Sequence, residues 1–160
     1  MKYLENLCRY IKFDRKNGKV RKDFVTALGF GVDYSDPDEA YRQMLLTRRY
    51  FGKESRNPLV HFVFAFDTKV KTEKEAVDLS IRIAEYYQDR YQLLWGIHKK
   101  HDKVENVMRY HMHLIINSVS YIDGKMISTW LTEIEYFRMY IQSVTNSLVQ
   151  FYFAGYKDDV

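Results

Sequence analysis

Cysteine, proline and long apolar runs are almost missing from this chain. One cysteine, Cys8, cannot close an internal disulfide. That excludes a small secreted scaffold held by cross-links and makes a reducing, cytoplasmic interior the expected compartment. Two prolines in 160 residues leave no room for a proline-rich spacer. No apolar stretch approaches the roughly 20 residues of a membrane-spanning helix, so no membrane partner is expected. The opening residues, Met1-Lys2-Tyr3-Leu4-Glu5-Asn6, break their apolar positions with charge and lack the core of a signal peptide.

What is present describes one folded domain over residues 1–160. Hydrophobic residues make up 46% and charged residues 29%, which excludes a disordered chain. Lys and Arg number 25 against 21 Asp and Glu, a balance of +4 that suits a polyanionic partner without requiring one. Aromatic residues are plentiful, with 14 Tyr and 10 Phe.

Three helices are marked by their caps. Asp36-Pro37-Asp38-Glu39 sets a capping residue, a proline at the first helical position and an acid in the first turn, and predicts a helix to about Phe51, ended by Gly52. Thr72-Glu73-Lys74-Glu75 is a capping box that opens a helix to about Gln88. A last helix beginning near Thr129 or Thr132 carries Ile134, Phe137, Ile141, Val144, Leu148 and Phe151 at helical spacing. A short N-terminal helix over residues 3–11 is a further candidate.

Strand-like runs lie between them: residues 23–32, the apolar run 59–66, residues 91–97 and a long run over 110–121. Asp123-Gly124 reads as a hairpin turn into Lys125-Met126-Ile127. This order predicts an α/β (α+β) fold, a mostly antiparallel sheet covered by helices.

Histidines supply the chemistry. On a strand, residues i and i+2 share a face, so His111, His113 and Asn117 line one side while Met112, Leu114 and Ile116 face the other. His98 closes the preceding strand, and antiparallel pairing across residues 99–109 brings it toward the His pair. Three imidazoles on one face make an open metal site. His61, inside Val60-His61-Phe62-Val63, reads as a core or sheet histidine rather than a ligand.

The run Gly96-Ile97-His98, then His111-Met112-His113-Leu114-Ile115-Ile116-Asn117, then Asp123-Gly124-Lys125, resembles the third motif of conjugative mobilisation relaxases, members of the HUH endonuclease superfamily. Leu59–Phe66 is similar to their second motif strand. The segment from Ala27 to Val32, leading into the Asp36–Gly52 helix, resembles the block before that strand.

The resemblance implies a nickase that attacks one strand of single-stranded DNA at an origin of transfer through a tyrosine, leaving a 5′-phosphotyrosine, with accessory relaxosome proteins as further partners. It also implies a divalent metal, Mn2+ or Mg2+, held by His98, His111 and His113. By motif position the nucleophile falls on Tyr10, ahead of Tyr3. His101, next to Asp102, is the alternative first ligand.

Relaxases of this type usually carry a strand before the tyrosine motif, which here is either absent or replaced by another way of completing the sheet, and an acid close behind the first histidine, which here is adjacent to His101 and not to His98. Asn117 is a candidate for hydrogen bonding a phosphate or metal-bound water. Lys99, Lys100 and Lys103, with Arg48, Arg49 and Lys53, are candidates for DNA contacts. Two other readings stay open. One is a replication-initiation nuclease of the same superfamily, with Tyr136 or Tyr140 as nucleophile; the other is a non-catalytic DNA-binding domain of the same fold. A zinc hydrolase is disfavoured because no His-Glu-x-x-His helix is present.

Overall fold

The computed structural model describes residues 2–155. Four helices and five strands alternate as α1 (Lys2–Tyr10), β1 (Phe24–Phe30), α2 (Pro37–Tyr50), β2 (Leu59–Phe66), α3 (Glu73–Ala84), β3 (Leu93–Asp102), β4 (Val107–Asn117), α4 (Leu131–Val144) and β5 (Val149–Gly155). The strands form one sheet in the order β1-β3-β4-β2-β5, and every pairing is antiparallel. The expected α+β class is what the chain adopts. Among the described residues no helix is long and apolar enough to cross a membrane.

Strand alternation divides the sheet into two unlike faces. On one, Phe62, Phe64 and Phe66 of β2, Trp95 and Ile97 of β3, and Met112 and Leu114 of β4 pack against Ile83 of α3 and Ile134, Phe137 and Ile141 of α4. On the other, Leu59, Leu94 and Ile115 meet Leu4, Leu7 and Cys8 of α1 and Ala40 and Met44 of α2. This second cluster covers only one end of its face. The rest of that face carries the histidines.

The caps form as their residues dictate. The Asp36 carboxylate accepts from the backbone N–H groups of Asp38 and Glu39, and Thr72 Oγ1 accepts from Glu75 N–H. Gly52 takes φ +64°, the left-handed conformation that ends α2.

Three expectations are corrected. The last helix stops at Val144 and does not reach Phe151; Asn146 and Ser147 adopt φ 50° and 62°, turning the chain into β5 beside β2. The apolar spacing of Leu148 and Phe151 thus belongs to a turn and a strand, not to another helical turn. Lys125-Met126-Ile127 forms only an isolated bridge, Val119 to Met126, rather than a strand. The segment 99–109 is no open loop, because β3 and β4 stay paired out to Asp102 and Val107.

Candidate active site

The uninterrupted β3–β4 register sets the histidines opposite one another. His98 pairs with His111 and Gly96 with His113, while β2 places Val63 beside His113 and His61 beside Ile115. His61, His98, His111 and His113 therefore share the face that α1 and α2 leave partly uncovered. The His98 and His113 rings lie 4.8 Å apart between centroids, and His61 stacks on His113 at 5.5 Å. No ring contact joins His111 to these among the described residues. It sits at the half-buried outer end of the row.

The helix α1 delivers the tyrosine. Leu4, Leu7, Cys8 and Ile11 recur at helical spacing and are buried, which fixes the helix on the sheet. Tyr10, at its last turn, then projects beside the histidines. Its ring meets His113 edge-on at 5.6 Å and His98 at 6.3 Å. An Arg9–Asp38 ion pair at 2.8 Å ties this end of α1 to the start of α2. Of the two tyrosines weighed from sequence, Tyr10 makes ring contacts with both His98 and His113.

Two buried imidazole nitrogens have no hydrogen-bond partner, His98 Nδ1 and His113 Nε2. The opposite nitrogen of each ring is occupied. His98 Nε2 lies 2.7 Å from the Ile11 carbonyl, to which it donates, so its Nδ1 carries a lone pair. His113 Nδ1 lies 3.3 Å from His61 Nε2. With the proton on His113 Nδ1, its Nε2 is likewise a free acceptor. A ligand histidine whose other nitrogen is held by a carbonyl or a second side chain is the usual arrangement around a bound metal.

The donors are thus of the right kind for a divalent cation. Among the described residues, however, no three His, Cys, Asp or Glu side chains are already gathered closely enough to hold one. His98 and His113 are prepared by their neighbours, and His111 stands next along the same face.

Burial keeps these rings neutral. It pushes His61 and His98 down to about 4, and His113 lower still, with the neighbouring imidazoles adding to the effect. His111 is lowered too, again chiefly by burial. Neutral imidazole is the form that binds a metal.

Asp23 stands just before β1, where its backbone carbonyl accepts from Lys99 N–H, next to His98. Its carboxylate is held below the ordinary range first by hydrogen bonds from Arg21, and its charge acts on His98. Arg21 Nε and Nη2 reach its two oxygens at 2.8 and 3.0 Å.

Several residues singled out from sequence lie elsewhere. His101 falls on the opposite face of β3 from His98, and its Nε2 contacts Asn106 Oδ1 at 2.9 Å. Asp102 pairs with Arg109 instead of supporting a histidine. Asn117 is fully buried at the far end of β4, roughly 13 Å along the strand from His113. There Asn117 Nδ2 donates to the Met44 carbonyl and Gln92 Oε1.

Arg48 is also fully buried, donating to Asn117 Oδ1, Ser118 Oγ and the carbonyls of Lys53, Arg56 and Pro58. Both Asn117 and Arg48 brace the scaffold, and full burial keeps both out of reach of a phosphate. Arg49 pairs with Glu54 on the surface, and Lys53 Nζ donates to the Gly124 carbonyl. Lys99 lies over the Tyr110 ring on the face away from the histidines, Lys100 lies on their face, and Lys103 sits in the exposed turn beyond β3. Tyr140 and Tyr136 belong to α4 on the opposite side of the sheet, and the Tyr140 hydroxyl donates to the Arg82 carbonyl.

Sequence reasoning missed His61, Asp23, Arg15 and Arg21 as members of this site. His61 carried a usable signal, since a histidine in an otherwise apolar inner strand needs a polar partner. Asp23 is brought in where β1 meets β3, and Arg15 and Arg21 by the turn between α1 and β1, which no local spacing reveals.

No curated protein and no solved structure matches this chain. A family model does: the relaxase family described as MobA/VirD2-like, nuclease domain, matches residues 10–147. The match begins at the tyrosine that faces the histidines, spans the strands that carry them and takes in most of the chain. This chain belongs to the MobA/VirD2-like relaxase nuclease domain family.

Proposed function

We propose that this domain is a metal-dependent nickase and strand transferase of a mobile genetic element, with single-stranded DNA at an origin of transfer as its substrate and Tyr10 as its nucleophile. The observation that carries the reading is the edge-on placement of the Tyr10 ring against His98 and His113 at the open end of the sheet. His98 and His113 would hold the cation through Nδ1 and Nε2, with His111 as the third ligand. A divalent cation supplies charge neutralisation of the phosphate and favours the attacking oxygen as its anion.

The chain's own residues do the rest. Tyr10 Oη forms a bond to phosphorus as the bond from phosphorus to O3′ breaks. The phenol loses its proton to solvent and the departing O3′ takes one up. The products are a 5′-phosphotyrosine and a free 3′-hydroxyl, and the high-energy link lets the strand be rejoined without another energy source. The Ile11 carbonyl orients His98 from the residue next to the nucleophile, which couples ligand and tyrosine mechanically.

The test uses a labelled, randomised pool of single-stranded oligonucleotides with manganese. A covalent adduct on a denaturing gel is expected from the wild type, and none from Tyr10→Phe or from the His111→Ala/His113→Ala double variant. An adduct that persists in Tyr10→Phe moves the nucleophile elsewhere. Binding without any adduct from the wild type would instead favour a non-catalytic DNA-binding domain.

A further inference from the structure

The chain's positive charge is concentrated in one short segment. Between Arg9 and Asp23 stand seven basic residues, Arg9, Lys12, Arg15, Lys16, Lys19, Arg21 and Lys22, against two acids, Asp14 and Asp23. With 25 basic and 21 acidic residues in all, the remainder of the chain is close to neutral. The segment is an ordered turn. Phe13 bridges Val20, Arg21 N–H donates to the Lys12 carbonyl at 2.9 Å, and Gly18 takes φ +68° to close it.

This turn folds over the proposed nucleophile. The Arg21 guanidinium lies 4.2 Å from the centre of the Tyr10 ring and that of Arg15 lies 4.9 Å from it. The two cations are not equivalent. Arg21 is locked by both oxygens of Asp23, so its plane is fixed. Arg15 is exposed and makes no ion pair among the described residues. Asp14, the nearest acid in sequence, has an oxygen accepting from Lys16 N–H at 2.7 Å.

Two hollows meet at Tyr10, of about 310 and 540 Å³, and Tyr10, Asp14 and Arg15 line both. A nucleotide strand running from one to the other would cross Tyr10 under Arg15.

We infer that the turn over residues 12–22 is the seat of the scissile phosphate, with Arg15 as the phosphate-binding residue and Arg21 as the residue that positions Tyr10. This rests on the nicking reading above and names the residues that deliver its substrate. An exposed guanidinium resting on an aromatic ring is weakly held, whereas its planar fork binds two phosphate oxygens at once, so phosphate draws Arg15 from the ring without uncovering Tyr10. Arg21, pinned by Asp23, stays on the ring and holds the phenol toward the histidines.

The experiment recovers the sequence joined to the wild-type protein from the randomised pool and uses it as a defined substrate. Single-turnover adduct rates are measured for wild type, Arg15→Ala, Arg15→Lys, Arg21→Ala and Arg21→Lys. The same DNA carrying a methylphosphonate at the nick, which lacks one charged oxygen, is run in parallel. Arg15→Ala is expected to slow the adduct by about 10²-fold, with Arg15→Lys recovering only part of the loss. The methylphosphonate is expected to slow the wild type and to add little further in Arg15→Ala, because the oxygen and the guanidinium act on each other.

Arg21→Ala is expected to slow the rate while keeping the methylphosphonate penalty. Binding to the same DNA should show a salt slope lowered by about one in Arg15→Ala. An Arg15→Ala protein with the wild-type rate, or with an undiminished methylphosphonate penalty, overturns the inference while leaving Tyr10-dependent nicking intact. A wild type that forms no adduct overturns the nicking reading and this inference with it.

Discussion

Gly96→Ala tests whether the nucleophile and the histidines are held together through a single close approach. A Cβ at position 96 would lie 2.5 Å from Ile11 Cγ2 and 3.3 Å from the Ile11 carbonyl oxygen. Carbon atoms at best contact sit about 3.5–4.0 Å apart, so roughly 1 Å of overlap must be relieved. Ile11 is buried beneath Leu4 and Leu7 in the same cluster, and a β-branched side chain has little freedom to turn aside. The relief has to come from moving the end of α1 off the sheet. Overpacking of this kind costs about 1–3 kcal/mol.

The functional loss should exceed what the stability loss alone produces. Ile11 is both the residue after Tyr10 and the acceptor for His98 Nε2, so lifting it displaces the phenol and loosens the ligand at once. A misplacement near 1 Å costs about 10²-fold in rate. Urea unfolding would give the stability term, and single-turnover adduct formation the rate. A partner substitution, Ile11→Ala, removes the clashing methyl and alone costs about 2–5 kcal/mol. The double variant Gly96→Ala/Ile11→Ala should then be less destabilised than the two costs added, by about 1 kcal/mol or more. Strict additivity, or a Gly96→Ala protein with unchanged stability and adduct rate, would refute the proposed contact.

Other consequences can be checked independently. Arg48→Met should destabilise the fold by about 3–5 kcal/mol, since it removes the buried donor to Asn117 Oδ1, Ser118 Oγ and three carbonyls, yet leave the salt slope of DNA binding unchanged; a reduced slope would return Arg48 to the DNA-binding surface. His61→Ala should weaken manganese binding about 10–100-fold by calorimetry without removing a ligand, because His113 loses the group on its Nδ1. Undiminished affinity would sink that role.

Stability should also follow pH. In the metal-free protein burial holds His61 and His98 at about 4, while the unfolded chain takes protons near pH 6.5. The unfolded state therefore binds more protons in between. This contribution is complete above about pH 6.5 and disappears as pH falls toward 4, so the melting temperature should drop over that window. A flat profile would contradict the burial of these rings.

The contrast between what was legible and what was not follows from the distance over which each signal acts. Asp36 and Thr72 announced their helices because a cap is made by atoms within three residues. His111 and His113 announced a shared face because alternation along one strand needs no partner. His98 against His101 stayed open, because the register that sets His98 opposite His111 comes from strands paired out to Asp102 and Val107, where the sequence suggested a loop. Phe151 misled because β5 presents its apolar residues at a spacing that a continued helix would also satisfy, and only the turn at Asn146 and Ser147 separates the two.

Arg48 and Asn117 misled for a different reason. A cation near a helix end and an amide on the histidine face look alike in sequence whether they meet a phosphate or each other, and only burial decides. Asp23 and His61 stayed hidden because their relation to His98 and His113 exists only across the sheet. A sequence motif thus names the groups that touch the chemistry, while the groups that aim them come from whichever strands lie alongside. Asp23 shows how small such a neighbour's influence can be: its charge raises His98, Arg21 paired with it lowers the same ring, and burial outweighs both.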